Sequence, residues 1–166
     1  TMDRLARRAP NKKRELVDLV RLEVALVEGR ELFAWPGSTE FVDRDLSTMV
    51  VGGAIGNGNF ALHAKAVFQS SAPRFTYVGE RARAGRRTLQ WDFVVPQMLS
   101  GYMLRSNQQE AIVGYQGSFW VDASTLDLIR LEVRADDIPD RLRLYMASDA
   151  VEYARTPIGG EEFLLP

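Results

Sequence analysis

Cysteine is absent from the 166 residues, which removes disulfides, thiolate metal sites and cysteine nucleophiles from consideration. Histidine occurs once, at His63, so a tetrahedral zinc site would have to be completed almost entirely by carboxylates. Long apolar runs are missing too: none approaches the roughly 20 residues that a membrane-spanning helix needs. Charge of one sign is not in excess, with 21 basic against 22 acidic residues, so no strongly basic face is available and no nucleic-acid partner is expected. What remains is 46% hydrophobic and 26% charged residues, the balance of an ordinary folded chain. At this length a single domain over 1–166 is expected.

The charge is unevenly spread. Arg4, Arg7, Arg8, Lys12, Lys13 and Arg14 crowd the first fourteen residues against Asp3 alone, which predicts a basic helix or arm over 1–14, with a short helix at 3–9 ending before Pro10. At the other end, the apolar run Phe163-Leu164-Leu165-Pro166 leads us to expect that the native chain continues.

Between these ends the pattern has period two. Val20, Leu22, Val24 and Leu26 alternate with other residues, and Glu28-Gly29-Arg30 turns the chain into Glu31–Trp35, a hairpin. An inserted helical pair is expected over 43–70. Asp43 would cap the first helix, with Leu46, Met49, Val50 and Gly53 on one face and Gly52-Gly53 ending it. Phe60, Ala64, Val67 and Phe68 would form the face of the second. From Arg74 onward strands dominate: 75–78, 89–95, 101–104, 111–115, 118–122, 129–135, 142–146, 150–155 and 161–165. Short turns between them imply an antiparallel meander. The fold class expected is α+β: a strongly curved antiparallel sheet, an incomplete β-barrel, with the two short helices packed in its concave face.

The segment Gly114-Tyr115-Gln116-Gly117-Ser118-Phe119-Trp120-Val121-Asp122, followed by Ser124-Thr125 and Arg130-Leu131-Glu132, resembles the lipoprotein-localisation-factor superfamily. That group includes the periplasmic lipoprotein carrier, its outer-membrane acceptor and the sensor domain of an envelope-stress regulator. The resemblance covers Leu16 to Leu165 in the order of elements and Tyr115–Glu132 in residues. It implies a half-open barrel with an apolar interior in an exported, periplasmic protein. The carrier's lid-latching arginine has no counterpart, so the implied activity is generic hydrophobic-ligand binding.

Other chemistries find little footing. Gly52–Gly58 precedes a helix, but no Gly-Lys-Ser/Thr follows to hold a phosphate. His63 beside Phe60, Ala64 and Val67 reads as a buried histidine with a local hydrogen bond rather than a catalytic base. Asp136-Asp137 and the Asp122/Asp127 pair suit turns better than a glycosidase's opposed carboxyls, and no EF-type calcium spacing occurs. No enzyme activity, cofactor or metal is therefore expected.

The expected function is non-enzymatic binding of a lipid, an acyl chain or an acylated protein in an apolar cleft of a cell-envelope protein. The cleft would be lined by Leu22, Val24, Leu26, Phe33, Trp35, Met49, Phe60, Val67, Trp91, Phe93, Phe119, Leu131, Val133, Leu142 and Leu144. The alternative is an interaction or envelope-sensor domain that binds a protein partner through the cleft or a sheet edge, without lipid.

Overall fold

A computed structural model describes residues 2–6, 15–28, 30–42, 49, 55–56, 61–83, 85–106 and 108–166. Its centre is a five-stranded antiparallel sheet built from β6 (Arg74–Arg83), β7 (Arg86–Val95), β10 (Gly114–Asp122), β11 (Leu128–Asp136) and β12 (Ser148–Glu152), in the order β12-β11-β10-β7-β6. The period-two patterning of these segments is what allows one face to be dry and the other wet. Strand register lines the apolar residues up in rows. One row runs Phe75, Phe93, Gly117, Val133, Asp149; the next runs Tyr77, Trp91, Phe119, Leu131, Val151. The opposite face carries Thr76, Asp92, Ser118, Glu132 and Ala150 in one row and Gln90, Trp120, Arg130 and Glu152 in another.

Gly117 stands in the middle of the apolar face for a steric reason. A Cβ there would collide with the Glu132 carbonyl and lie 2.8 Å from the Phe93 ring. Glycine leaves the space that Phe93, 1% exposed, occupies.

Around this sheet lie smaller pieces. β1 (Met2–Ala6) pairs with β2 (Glu15–Val20), β3 (Glu23–Val27) with β4 (Arg30–Ala34), and β13 (Ala154–Ile158) with β14 (Glu161–Leu165). A three-stranded sheet joins β5 (Ile55–Gly56), β8 (Met103–Ser106) and β9 (Gln109–Ile112) in the order β5-β8-β9. Helix α1 (Leu62–Phe68) turns His63 and Val67, one helical turn apart, inward. Its N-terminus has no cap from its own sequence. Glu31 of β4 supplies one instead, its Oε1 accepting from the backbone N–H of Ala61 at 2.6 Å and of Leu62 at 3.0 Å. The main core joins Val67 of α1 to Phe93, Val95, Tyr115, Phe119, Leu131, Val133 and Ala135 of the large sheet, and to Tyr102, Leu104, Ala111, Val113 and Leu142.

Several expectations are corrected. Among the described residues the molecule is mostly β, its sheets do not close into a barrel, and a pair of helices packed in a concave face is not found. Among the described residues α1 is the one α-helix with defined bounds. Of the helix expected at 43–53, Met49 is helical and the remaining face residues lie outside the described set, as does Phe60. The single meander is divided because β8 and β9 leave the large sheet and pair with β5, while β10 returns to lie beside β7. The large sheet does bend, but not around the helix. Four strand spacings separate β6 from β12, about 19 Å if flat. Even so, Arg83 of β6 reaches Glu152 of β12 at 3.0 Å while its guanidinium lies over the Trp120 ring. That corner therefore curls toward the polar face, away from α1.

The short helix expected at 3–9 is also overturned: residues 2–6 are a strand against β2, with a register shift at Arg4/Leu5. So few residues nucleate a helix poorly, whereas pairing with β2 satisfies their backbone groups at once. The strand expected at 142–146 fails because a 3-10 turn, Asp140–Leu142, follows Pro139 and Arg143 takes a left-handed φ of 52°. No helix among the described residues is long and apolar enough to cross a membrane.

Candidate functional site

The fifteen residues expected to line one cleft are not gathered in one place. Val67, Phe93, Phe119, Leu131, Val133 and Leu142 are buried in the main core, with Trp91 and Leu144 at its margin. Phe33 forms a smaller cluster with Val20, against which Leu22, Val24 and Met49 pack. Trp35 is exposed. The side chain of Leu26 and all of Phe60 lie outside the described residues.

The apolar face of the large sheet differs from one edge to the other. Toward β6 the rings are linked edge to face: Phe68 of α1 meets Phe119 at 4.9 Å between centroids and Phe75 meets Phe119 at 5.8 Å. Tyr77 lies 4.9 Å from Trp91, which stacks parallel to Phe119 at 6.5 Å. Such pairings suit the ring quadrupoles and hold the rings in fixed orientations. Nevertheless Phe68, Phe75 and Tyr77 are 42%, 44% and 49% exposed. α1 ends at Phe68 and Ser70 closes it by donating to the Ala66 carbonyl at 2.6 Å, so the helix stops before it covers β6. Among the described strands β6 is outermost in its sheet, and none of its ten residues is buried: eight are exposed and two, Gly79 and Arg83, are half-buried.

Toward β12 the same face is closed and carries polar groups. His63 of α1 is buried, with its Nε2 3.4 Å from Asp149 Oδ2, yet the contact lacks hydrogen-bond geometry and Nε2 has no hydrogen-bond partner among the described residues. The Tyr102 hydroxyl donates to the same Oδ2 at 3.3 Å. The His63 ring meets Tyr102 edge-on at 4.8 Å and tilts toward Tyr115 at 6.4 Å. Burial, then the Asp149 charge and hydrogen bond, push the Tyr102 phenol far above its ordinary range. Burial alone raises Tyr115. Nearby, Tyr153 is pushed up to about 12 by burial and by the charge of Glu31.

The loop aspartates serve turns. Asp122 Oδ1 accepts from the backbone N–H of Ser124 at 2.8 Å and of Thr125 at 3.2 Å, and Asp127 holds Arg155 through two contacts of 2.7 Å. Among the described residues no three His, Cys, Asp or Glu side chains come together as a metal-binding group. Of the glycine-rich stretch considered for phosphate, the described part, Ile55-Gly56, is strand paired with β8.

Sequence reasoning missed Phe68, Phe75 and Tyr77 as a surface and Tyr102 and Asp149 as partners of His63. The alternation Phe75-Thr76-Tyr77 does mark a strand face, but nothing local tells which strand lies at the edge. No family model matches the chain, and neither does any curated protein or solved structure.

Proposed function

We propose that the protein binds, without catalysis, a lipid acyl chain or a similarly long apolar ligand on the β6 end of the large sheet's apolar face. One observation carries this reading: Phe68, Phe75 and Tyr77 remain about half exposed while tied into a continuous ring cluster with Trp91 and Phe119. A flexible chain laid across pre-oriented rings gains about 0.8 kcal/mol per buried methylene, and the rings lose little freedom in receiving it. The resemblance over Tyr115–Glu132 points to the same ligand class and to an exported, cell-envelope setting.

The test is titration with a C16 fatty acid, read by the fluorescence of Trp91 against a Trp91→Phe control, with native mass spectrometry for co-purified lipid. Saturable binding is expected, weakened about tenfold or more in Phe75→Ser/Tyr77→Ser, a loss of some 1.4 kcal/mol. A chain that stays empty after exposure to fatty acid and to phospholipid vesicles would sink the reading.

A second reading is favoured by the edge itself. β6 offers a ten-residue strand, outermost among the described strands of its sheet, for backbone pairing with an extended peptide. Saturable binding of an unacylated peptide, indifferent to fatty acid, would select it.

A further inference from the structure

The apolar face of the large sheet changes character along β7. Phe93, Trp91 and Leu89 succeed one another on it at two-residue steps, opposite Phe75, Tyr77 and Glu80 of β6, and Arg87 comes next, opposite Ala82. The half-exposed rings of Phe75 and Tyr77 thus give way, further along the same face, to a charged pair. Arg87 donates to the Glu80 carboxylate from Nε at 3.3 Å and from Nη2 at 3.0 Å and 2.9 Å, and Nη1 has no hydrogen-bond partner among the described residues. Both side chains stand in water, 77% exposed for Arg87 and 53% for Glu80.

Length and charge both bear on what such a face can hold. At about 3.4 Å per residue, Arg87 lies about 20 Å along the strand from Phe93, the reach of an extended C16 chain. An ion pair so exposed contributes little, so exchanging Glu80 for another oxyanion costs little. The surroundings favour that exchange. From Glu80 to Thr88 the hairpin carries Arg81, Arg83, Arg86 and Arg87 against Glu80 alone. Two further acids lie close by and are engaged elsewhere: Glu152 is held by Arg83 and Arg130, and Asp122, within electrostatic reach of Arg86, accepts from the backbone of Ser124 and Thr125.

We propose that the ligand of the aromatic surface is an anionic amphiphile, a long-chain carboxylate, whose headgroup takes the place of Glu80 on Arg87 while its chain runs over Leu89 and Trp91 toward Phe75. The inference rests on the acyl-chain reading above and adds a charge and a direction to it. Arginine suits the task because its planar fork grips both oxygens of a carboxylate at once. Glu80 then acts as the resident competitor, which covers Arg87 in the empty protein and is released to solvent when the headgroup arrives. An uncharged lipid of the same chain length gains the apolar contact alone and leaves the Arg87–Glu80 pair shut.

The test titrates the full chain, at low ionic strength and a pH that ionises the acid, with hexadecanoate and with methyl hexadecanoate, each followed by Trp91 fluorescence. The acid should bind about three- to fivefold more tightly than its ester, the range open to an exposed ion pair. Arg87→Gln should erase that preference, and Glu80→Gln, which removes the competing carboxylate, should widen it. Both side chains are exposed, so the variants should fold, which circular dichroism checks. The comparison of acid with ester in the native chain needs no variant at all. Equal binding of the two by the native chain, or an undiminished preference in Arg87→Gln, would overturn the proposal and leave the acyl-chain reading standing. Binding of neither would overturn both.

Discussion

The two ends of one residue row, Phe75 on β6 and Asp149 on β12, share a face of the same sheet and live in different surroundings. At the β12 end α1, Tyr102 and Leu142 close over the strands and bring His63 and Tyr102 against Asp149. At the β6 end the helix has stopped and the rings Phe75 and Tyr77 face solvent. Local patterning alternates with period two at both ends. The difference comes from what lies on top, so the closed end should govern stability and the open end should govern binding.

The strongest way to break that division is to disturb the row's centre. Gly117→Ala forces a methyl group against the Glu132 carbonyl and the Phe93 ring, and it should cost at least about 4 kcal/mol or prevent folding, measured by urea unfolding. A cost below about 1 kcal/mol would mean that the sheet is slack where the rows place Phe93. Next in size is Leu131→Ala, which empties a site 1% exposed and should cost about 2–4 kcal/mol in the same assay.

Alkaline pH gives a smaller effect at the closed end. The Tyr153 phenol titrates near 10 in the unfolded chain and is pushed up to about 12 in the folded one, chiefly by burial. Between these values the native state holds a proton that the unfolded state has lost, so this contribution is complete below about pH 10 and is lost as pH rises through about 12. Tyr153→Phe should flatten the fall in Tm across that interval; an identical fall would assign it elsewhere. The smallest stability change belongs to the open end. Phe75→Ser should cost less than about 1 kcal/mol because the ring already stands in water, while it weakens fatty-acid binding. A cost as large as that of Leu131→Ala would abolish the contrast between the ends.

Legibility followed the range of the physics involved. The alternation of Leu89, Trp91, Phe93 and Val95 marked β7 because burial on one sheet face repeats every second residue. Gly85, with φ of 77°, marked the turn between β6 and β7 because few other residues tolerate that conformation. The first residues misled because charge density says nothing about pairing: residues 2–6 form a strand only because β2 lies beside them. Leu142 and Leu144 alternate like a strand, but Pro139 and the left-handed Arg143 break the ladder between them. His63 was conspicuous as the only histidine, while Asp149 and Tyr102, 86 and 39 residues away, carried no spacing signal that would join them to it.

By itself the sequence determined that the chain is rich in antiparallel strands with one apolar face, and it excluded every chemistry that needs a thiol or a second histidine. Composition and period-two alternation act over a few residues, and such interactions are readable in order. Only the tertiary structure decided that β8 and β9 pair with β5, that α1 covers one end of the sheet and spares the other, and that a lone histidine meets an aspartate and a phenol. Those outcomes depend on contacts between distant segments, where many arrangements satisfy the same local pattern and packing selects one.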